Sequence, residues 1–122
     1  MKIKLHKNDL PNNINFGKSV AIDTEAMGLN HTRDRLCLVQ LSSGNGVCHL
    51  VQIQNNGIKP KNLIKLLKNK KILKIFHFAR FDVGILKHTF NINIENIYCT
   101  KIASKLTRTF TDKHGYKDLC KD

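Results

Sequence analysis

Two carboxylates stand two positions apart directly after a short apolar run. Val20–Ile22 consists of the small or β-branched apolar residues typical of a strand buried on both faces, and Asp23 and Glu25 follow it. Side chains at positions i and i+2 of a strand share a face, about 6.6 Å apart, so these carboxylates would project together. They repel each other unless a cation lies between them, and hard oxygen ligands suit Mg²⁺. Alternatively, Asp23 ends the strand and Glu25 is a solvated loop residue.

A third carboxylate, Asp82, lies in the first turns of a predicted helix that follows a predicted strand. The helix dipole favours an ionised carboxylate there, and strand ends and helix starts are where α/β sites are assembled. If this strand lies beside the central one, Asp82 faces Asp23 and Glu25. Three carboxylates suit a site with two metal ions about 3.5–4 Å apart that clamp a phosphodiester. Alternatively, Asp82 is a helix-start carboxylate without a catalytic role.

The elements that must position these residues follow from periodicity and turn residues. We predict strands over 1–10 (an edge strand), 19–24 (the central strand), 35–42, 47–53, 72–77 and 96–99, and helices over 59–68 and 78–90. Thr100 is predicted to cap a further helix, and a last amphipathic segment starts near 112. The order predicts an α/β fold in which an antiparallel meander of three strands is followed by β-α-β crossovers, with helices on the faces of a mixed sheet.

Length and composition limit the class of protein. The chain has 122 residues, 41% of them hydrophobic and 25% charged, which is typical of one globular domain. No apolar run approaches the roughly 20 residues of a membrane span, and the first residues lack the apolar core of a signal peptide, so we expect a cytoplasmic protein without a membrane partner. The 4 cysteines form no C-x-x-C pair, and their spacing gives no support for a zinc site.

The chain is strongly basic. Lysine and arginine number 21 against 9 aspartates and glutamates, giving a net charge of +12. Such a charge attracts polyanions, and RNA or DNA is the natural partner, with binding that weakens as salt rises. Alternatively, the abundance of Lys, Asn and Ile is a general compositional bias, since the lysines are scattered along the sequence.

Three segments in this order resemble ribonuclease D, a bacterial member of the DEDD superfamily of 3′–5′ exonucleases with a ribonuclease H-like fold. They are Ala21–Glu25, Leu36–Ser42 and His77–Asp82, and the resemblance runs from Lys2 to Asp118. It implies metal-dependent hydrolysis of phosphodiester bonds from the 3′ end of single-stranded RNA, tRNA precursors included, or of DNA. It also implies that Asp23, Glu25 and Asp82 hold two divalent metal ions, Mg²⁺ or Mn²⁺, one of which activates water while the other stabilises the leaving 3′ oxygen.

The same resemblance implies a pocket for the terminal nucleotide. The residues that flank the matching motifs would line it, and they are Thr24, Met27, Gly28, His77 and Phe81. Two of these have alternatives: Phe81 fits the core better than a stacking surface for a base, and His77 fits equally well as a hydrogen-bonded core histidine.

The sequence departs from the family at its third motif, Tyr-x-x-x-Asp or His-x-x-x-x-Asp, which supplies the last metal ligand and orients the water. Tyr98 is followed four residues later by Ile102, and Tyr116 by Cys120. We therefore expect residues 1–122 to be a single partial 3′–5′ exonuclease domain whose fold is incomplete at the C-terminus. Two alternatives stay open: a catalytically impaired remnant that only binds nucleic acid, and a split subunit completed by another chain that carries the third motif.

Overall fold

A computed structural model of the chain describes residues 2–28, 34–54, 57–77 and 79–100. These form one six-stranded mixed sheet, in the order β1-β4-β3-β2-β5-β6, with two helices. The elements are β1 (Lys2–Lys7), β2 (Ser19–Ala26), β3 (Leu36–Ser42), β4 (Val47–Gln52), α1 (Lys61–Lys68), β5 (Leu73–His77), α2 (Ala79–Phe90) and β6 (Ile97–Thr100). The predicted mixed sheet with helices is confirmed, and the bounds of its elements differ from the predictions by a few residues.

The predicted antiparallel meander is formed by β2, β3 and β4. Gly44 and Gly46 adopt φ values of +83° and +82° in the turn between β3 and β4, a region that favours glycine. Asn45 between them accepts a hydrogen bond from the Val47 N–H at 3.1 Å. The glycines and the asparagine of this turn therefore fix the conformation of the hairpin.

The central position of β2 sets the geometry of the candidate site. β2 lies between the antiparallel β3 and the parallel β5, so the expectation that the strand before Asp82 lies beside the central strand is confirmed. β2 also runs further than predicted, through Ala26, with an irregularity in its pairing between Glu25 and Ala26. Both Asp23 and Glu25 thus belong to the strand itself.

β1 is the edge strand that was predicted, but its partner was not. It pairs in parallel with β4, and Lys2 aligns with Val47. Its alternating sequence indicates a strand, yet nothing in six residues says which sheet edge is open to receive it. Ile3 and Leu5 remain 40% and 50% exposed there.

The helices cover a hydrophobic core built on the sheet. Leu63, Leu66 and Leu67 form the buried stripe of α1, while Ile85 and Leu86 belong to that of α2. Their spacing is the helical periodicity seen in the sequence. The same core includes Val20 and Ile22 of β2, so the central strand and both helices contribute to one core.

Lys74 of β5 is a buried cation at the edge of this core. It is 0% exposed, and its ammonium donates hydrogen bonds to the carbonyls of Asn69 and Glu95, the latter at 2.8 Å. Burial lowers its pKa, which Glu95 raises in part. Because Asn69 caps the C-terminus of α1, the lysine also lies where the helix dipole favours a positive charge.

Two predictions concern residues after β6. Thr100 is the last residue of β6, and the helix predicted to start there, like the segment predicted from 112, lies outside the described residues. Neither of the two helices that the structure describes is long and apolar enough to span a bilayer.

Candidate active site

The end of β2 carries the first two acidic residues. Asp23 is 1% exposed and aligns with Gln40 of β3, whereas Glu25 is half-buried and aligns with Leu38. The pairing irregularity follows directly after Glu25. Such bulges are common beside active sites because they redirect side chains at a strand end.

Asp82 lies in the first turn of α2 and is 1% exposed. Its Oδ1 accepts a hydrogen bond of 2.5 Å from the hydroxyl of Thr24. The N–H of Thr24 in turn donates to Oδ1 of Asp23 at 3.0 Å. Thr24 therefore contacts both buried carboxylates, one through its side chain and one through its backbone.

The contact of Thr24 with Asp82 joins the end of β2 to the start of α2. The sequence predicted that Asp82 would face Asp23 and Glu25 directly. The structure has Thr24 donating to Asp82 at the point where the strand ends, and the convergence of the three carboxylates stays a prediction.

Two buried carboxylates in one place are costly unless a positive charge compensates them. Within the part of the chain that the structure describes, the Oδ2 atoms of Asp23 and Asp82 are buried and accept no hydrogen bond. Both residues make further interactions of their own. Buried oxygens of this kind are suitable ligands for a hard cation such as Mg²⁺.

The described residues do not bring together a complete set of metal ligands. The described residues contain no group of three or more His, Cys, Asp or Glu side chains that could hold a metal ion. The donor chemistry of Asp23 and Asp82 thus fits a divalent cation, while their arrangement with Glu25 does not form a closed three-carboxylate site. The roles predicted for these three residues stay predictions.

The predicted pocket residues after β2 lie in different surroundings. Met27 is 62% exposed, and its N–H donates to the carbonyl of Arg35 at 2.9 Å. Gly28 is tightly packed, since a Cβ there would lie 2.3 Å from Oδ2 of Asp34. Gly28 was a predicted pocket residue but Asp34, whose carboxylate lies against it, was not. The glycine was itself the available signal, because close approach of a neighbour is one reason for glycine.

The other two predicted pocket residues flank the start of α2. His77 is the last residue of β5 and is half-buried. Phe81 packs against the hydrophobic core, as its alternative reading expected. The buried Thr24 completes the predicted set, and its described hydroxyl contact is with Asp82.

A family described as 3′–5′ exonuclease matches residues 5–122, nearly the whole chain. The chain therefore belongs to the 3′–5′ exonuclease family, and its resemblance to ribonuclease D is confirmed by curated relatives. The ribonuclease D of Bartonella henselae is 33% identical over 100 residues, which cover 82% of this chain and 24% of that protein.

Solved structures support the same assignment and the ribonuclease H-like fold. Brucella melitensis NrnC is 55% identical, with a TM-score of 0.79 over 98% of this chain and 59% of that one. Further structures show the same protein with bound Mg²⁺ and bound to pGG. Escherichia coli RNase D, an exoribonuclease involved in structured RNA processing, is 25% identical, with a TM-score of 0.54 over 67% of this chain and 21% of that one.

The chain spans only part of these relatives. It corresponds to 59% of the length of NrnC and to about a quarter of the curated ribonuclease D proteins. Family membership concerns these 122 residues.

Proposed function

We propose that this chain supplies acidic residues of a metal-dependent 3′–5′ exonuclease that removes nucleotides from the 3′ end of single-stranded RNA. The observation that carries the proposal is the pair of buried carboxylates, Asp23 and Asp82, linked by Thr24 at the ends of neighbouring elements. The NrnC structures with Mg²⁺ and with pGG, together with the ribonuclease D relatives, support a divalent cation and an RNA substrate.

In this proposal Asp23, Glu25 and Asp82 would hold divalent ions, Mg²⁺ or Mn²⁺. Bound there, such ions supply an activated water and charge stabilisation for the leaving oxygen. The protein buries the carboxylates of Asp23 and Asp82. In this buried environment charge interactions are stronger than in water. Thr24 orients Asp82 by donating its hydroxyl proton to one carboxylate oxygen.

The pocket for the RNA end would be lined by the residues that follow the carboxylates. Two of these residues, Met27 and Gly28, lie directly after β2, and His77 is the last residue of β5. β2 carries Asp23, and the neighbouring β5 leads into the helix that carries Asp82. The large exposed surface of Met27 is available for an apolar contact with a base. The DNA substrate in the test below decides whether DNA is also cut.

A nuclease assay tests the proposal. The purified chain, with Mg²⁺ or Mn²⁺, is incubated with 5′-labelled single-stranded RNA, with the same sequence in DNA, and with pGG. We expect shortening from the 3′ end that decreases at least 100-fold in Asp23→Asn and in Asp82→Asn, because each change removes a charged ligand. Glu95→Gln is the matched control, since it removes an acidic charge from an exposed ion pair with Lys70 at 3.9 Å.

The role of Thr24 is tested in the same assay. Thr24→Val keeps the shape of the side chain but removes the hydrogen bond to Asp82, whereas Thr24→Ser retains the hydroxyl. We expect Thr24→Val to lower both activity and the apparent affinity for Mg²⁺ about tenfold, and Thr24→Ser to preserve both. Equal behaviour of the two variants would show that Thr24 does not position Asp82.

The lack of the family's third motif in this sequence favours a second candidate, in which this chain binds RNA and cuts only when another chain supplies the missing residues. Folded protein that binds RNA but releases no nucleotide with either metal ion would support this second function. Restoration of cleavage by a separate chain carrying Tyr-x-x-x-Asp would identify the completed, split form.

A further inference from the structure

The exposed face of α1 concentrates lysines that are dispersed in the sequence. Between Asp34 and Asp82 the chain contains no aspartate or glutamate. Within this interval Lys61, Lys65 and Lys68 are exposed on α1, and Lys59 is exposed just before it. We call these four residues, Lys59, Lys61, Lys65 and Lys68, the α1 lysine face.

The α1 lysine face borders a wide, open depression at the surface. The depression has a volume of about 620 Å³ and is lined by Lys59, Lys61, Ile64, Lys65, Lys68 and Asn69. Ile64 is a half-buried apolar residue between the lysines, and Asn69 adds an amide at one end. Lys61 and Lys65 are about 6 Å apart along the helix axis, since each residue rises 1.5 Å.

Helix stability does not explain this placement. The helix dipole favours acidic residues in the first turn and basic residues in the last, yet α1 has no acidic residue in its first turn and begins with Lys61. Asp9, which lies at the start of α1, has its oxygens engaged by the N–H groups of Asn62 and Leu63, both at 2.9 Å. Like charges at this density repel each other unless a polyanion is present.

We propose that the α1 lysine face binds the phosphate backbone of single-stranded RNA. This surface is separate from the carboxylates near the end of β2 and in the first turn of α2. Lysines act as point charges toward phosphates, and an apolar residue between them offers a surface for a base. The choice of RNA as the polyanion rests on the proposed function. The inference of a binding surface at this position rests on the charge and shape of α1.

Binding of a labelled single-stranded RNA of about 20 nucleotides, measured by fluorescence anisotropy in EDTA, tests this surface without hydrolysis. The variant Lys61→Gln/Lys65→Gln/Lys68→Gln is compared with Lys2→Gln/Lys4→Gln/Lys87→Gln, whose lysines are also exposed but lie on β1 and α2. Both triple variants lose the same charge. A purely general effect of net charge would therefore weaken both equally.

We expect the α1 triple variant to bind at least tenfold more weakly and the control triple to lose less than threefold. The slope of log affinity against log salt should become shallower by about 2 in the α1 variant, because each phosphate contact on a single strand contributes about 0.7. An arginine variant, Lys61→Arg/Lys65→Arg/Lys68→Arg, should retain affinity. Thermal melting confirms that each variant is folded.

Equal losses in the two glutamine variants, or none in either, would overturn the proposal. The same holds if the α1 variant fails to bind vesicles containing phosphatidylserine while RNA binding is unchanged, since the face would then recognise a membrane surface. Because no metal ion is needed here, loss of nuclease activity in the earlier assay would not affect this result. The two proposals can therefore fail independently.

Discussion

At the residue scale, Thr24 shows how a neutral side chain organises charged ones. Its hydroxyl donates to Asp82 and its N–H to Asp23, so one residue contacts two buried carboxylates. A hydrogen bond to an ionised group contributes more than one between neutral groups, and a buried carboxylate oxygen that loses its donor is costly. The position between Asp23 and Glu25 is therefore part of the candidate site rather than a spacer.

A second residue-scale feature is the contact between His6 and His49 across β1 and β4. Nε2 of His6 lies 3.0 Å from Nδ1 of His49, and the rings stack with centroids 5.2 Å apart. Phe16 contacts His49 edge-on, at 5.5 Å between centroids. Burial lowers the pKa of both histidines, and the positive charge of Lys4 lowers both further. Two rings held together in this way favour the neutral form.

These pKa shifts predict how stability depends on pH. Because the folded pKa values lie below those of the unfolded chain, about 6.5, the unfolded state binds more protons as the pH falls through that range. The contribution of the His6–His49 pair to the free energy of unfolding should be complete above pH 6.5 and lost as the pH decreases through the folded pKa values. Urea unfolding at pH 7.5, 6.5, 5.5 and 5.0 measures this loss as a falling midpoint.

The control for this prediction is a variant that lacks the pair. His6→Gln/His49→Gln should show a flatter pH dependence than the unmodified chain, whereas His88→Gln, at an exposed position, should not. An unchanged slope in the double variant would assign the pH dependence to other groups.

The chemistry at this scale was predictable in part from the sequence. Spacing and resemblance identified Asp23, Glu25 and Asp82, and two of these are buried at adjoining element ends. The contact of Thr24 with Asp82 was not predictable, because it depends on how far α2 lies over the face of the sheet. The same applies to Asp34, whose carboxylate lies against Gly28.

At the element scale, α1 is capped by a residue from elsewhere in the chain. Pro60 occupies its N-cap position and provides no capping side chain, and Asp9 instead accepts hydrogen bonds from the N–H groups of Asn62 and Leu63. Asp9 Oδ1 also accepts from the N–H of Leu10 at 2.8 Å. The segment after β1 is thereby attached to the start of the helix.

Removal of this carboxylate should destabilise the fold. We expect Asp9→Ala to lower the free energy of unfolding by about 1–2 kcal/mol, as loss of an N-cap does, because the N–H groups of Asn62 and Leu63 lose their acceptor. Asp9→Asn keeps one acceptor oxygen and should cost roughly half as much. Chemical unfolding of both variants gives the two values. Equal losses would show that the charge of Asp9 matters more than its hydrogen bonds.

Local sequence predicted these elements better than their connections. The apolar stripe of α1 is encoded within a few residues and lies in the helix predicted over 59–68, and the turn at Gly44 and Gly46 joins the strands predicted over 35–42 and 47–53. The capping of α1 by Asp9 and the pairing of β1 with β4 join segments far apart in the chain. Periodicity carries no information about such partners.

At the scale of the whole molecule, the net charge of +12 destabilises the folded state by self-repulsion and also attracts polyanionic partners. Added salt screens this repulsion, with a Debye length of about 10 Å at 0.1 M. We therefore expect KCl to stabilise the folded chain, on the order of 1 kcal/mol between 20 and 300 mM, while it weakens RNA binding. Urea midpoints measured at the two concentrations check the first effect.

Opposite salt responses of stability and binding would distinguish charge repulsion from a general salt effect. Sucrose, which does not screen charge, serves as the control for the binding measurement and should leave RNA affinity unchanged. A chain that became less stable in KCl would contradict the assignment of repulsion to its lysines.

The parallel pairing of β1 with β4 has a consequence for how the sheet is made. Lys2–Lys7 leaves the ribosome well before its partner Val47–Gln52, so β1 has no edge to join during the first part of synthesis. The β3–β4 hairpin is local and can form first, whereas β1 must close a long loop to reach it. Translation thus delivers this edge strand before its partner and delays its docking until β4 has been made, with Ile3 and Leu5 exposed to chaperones in the interval.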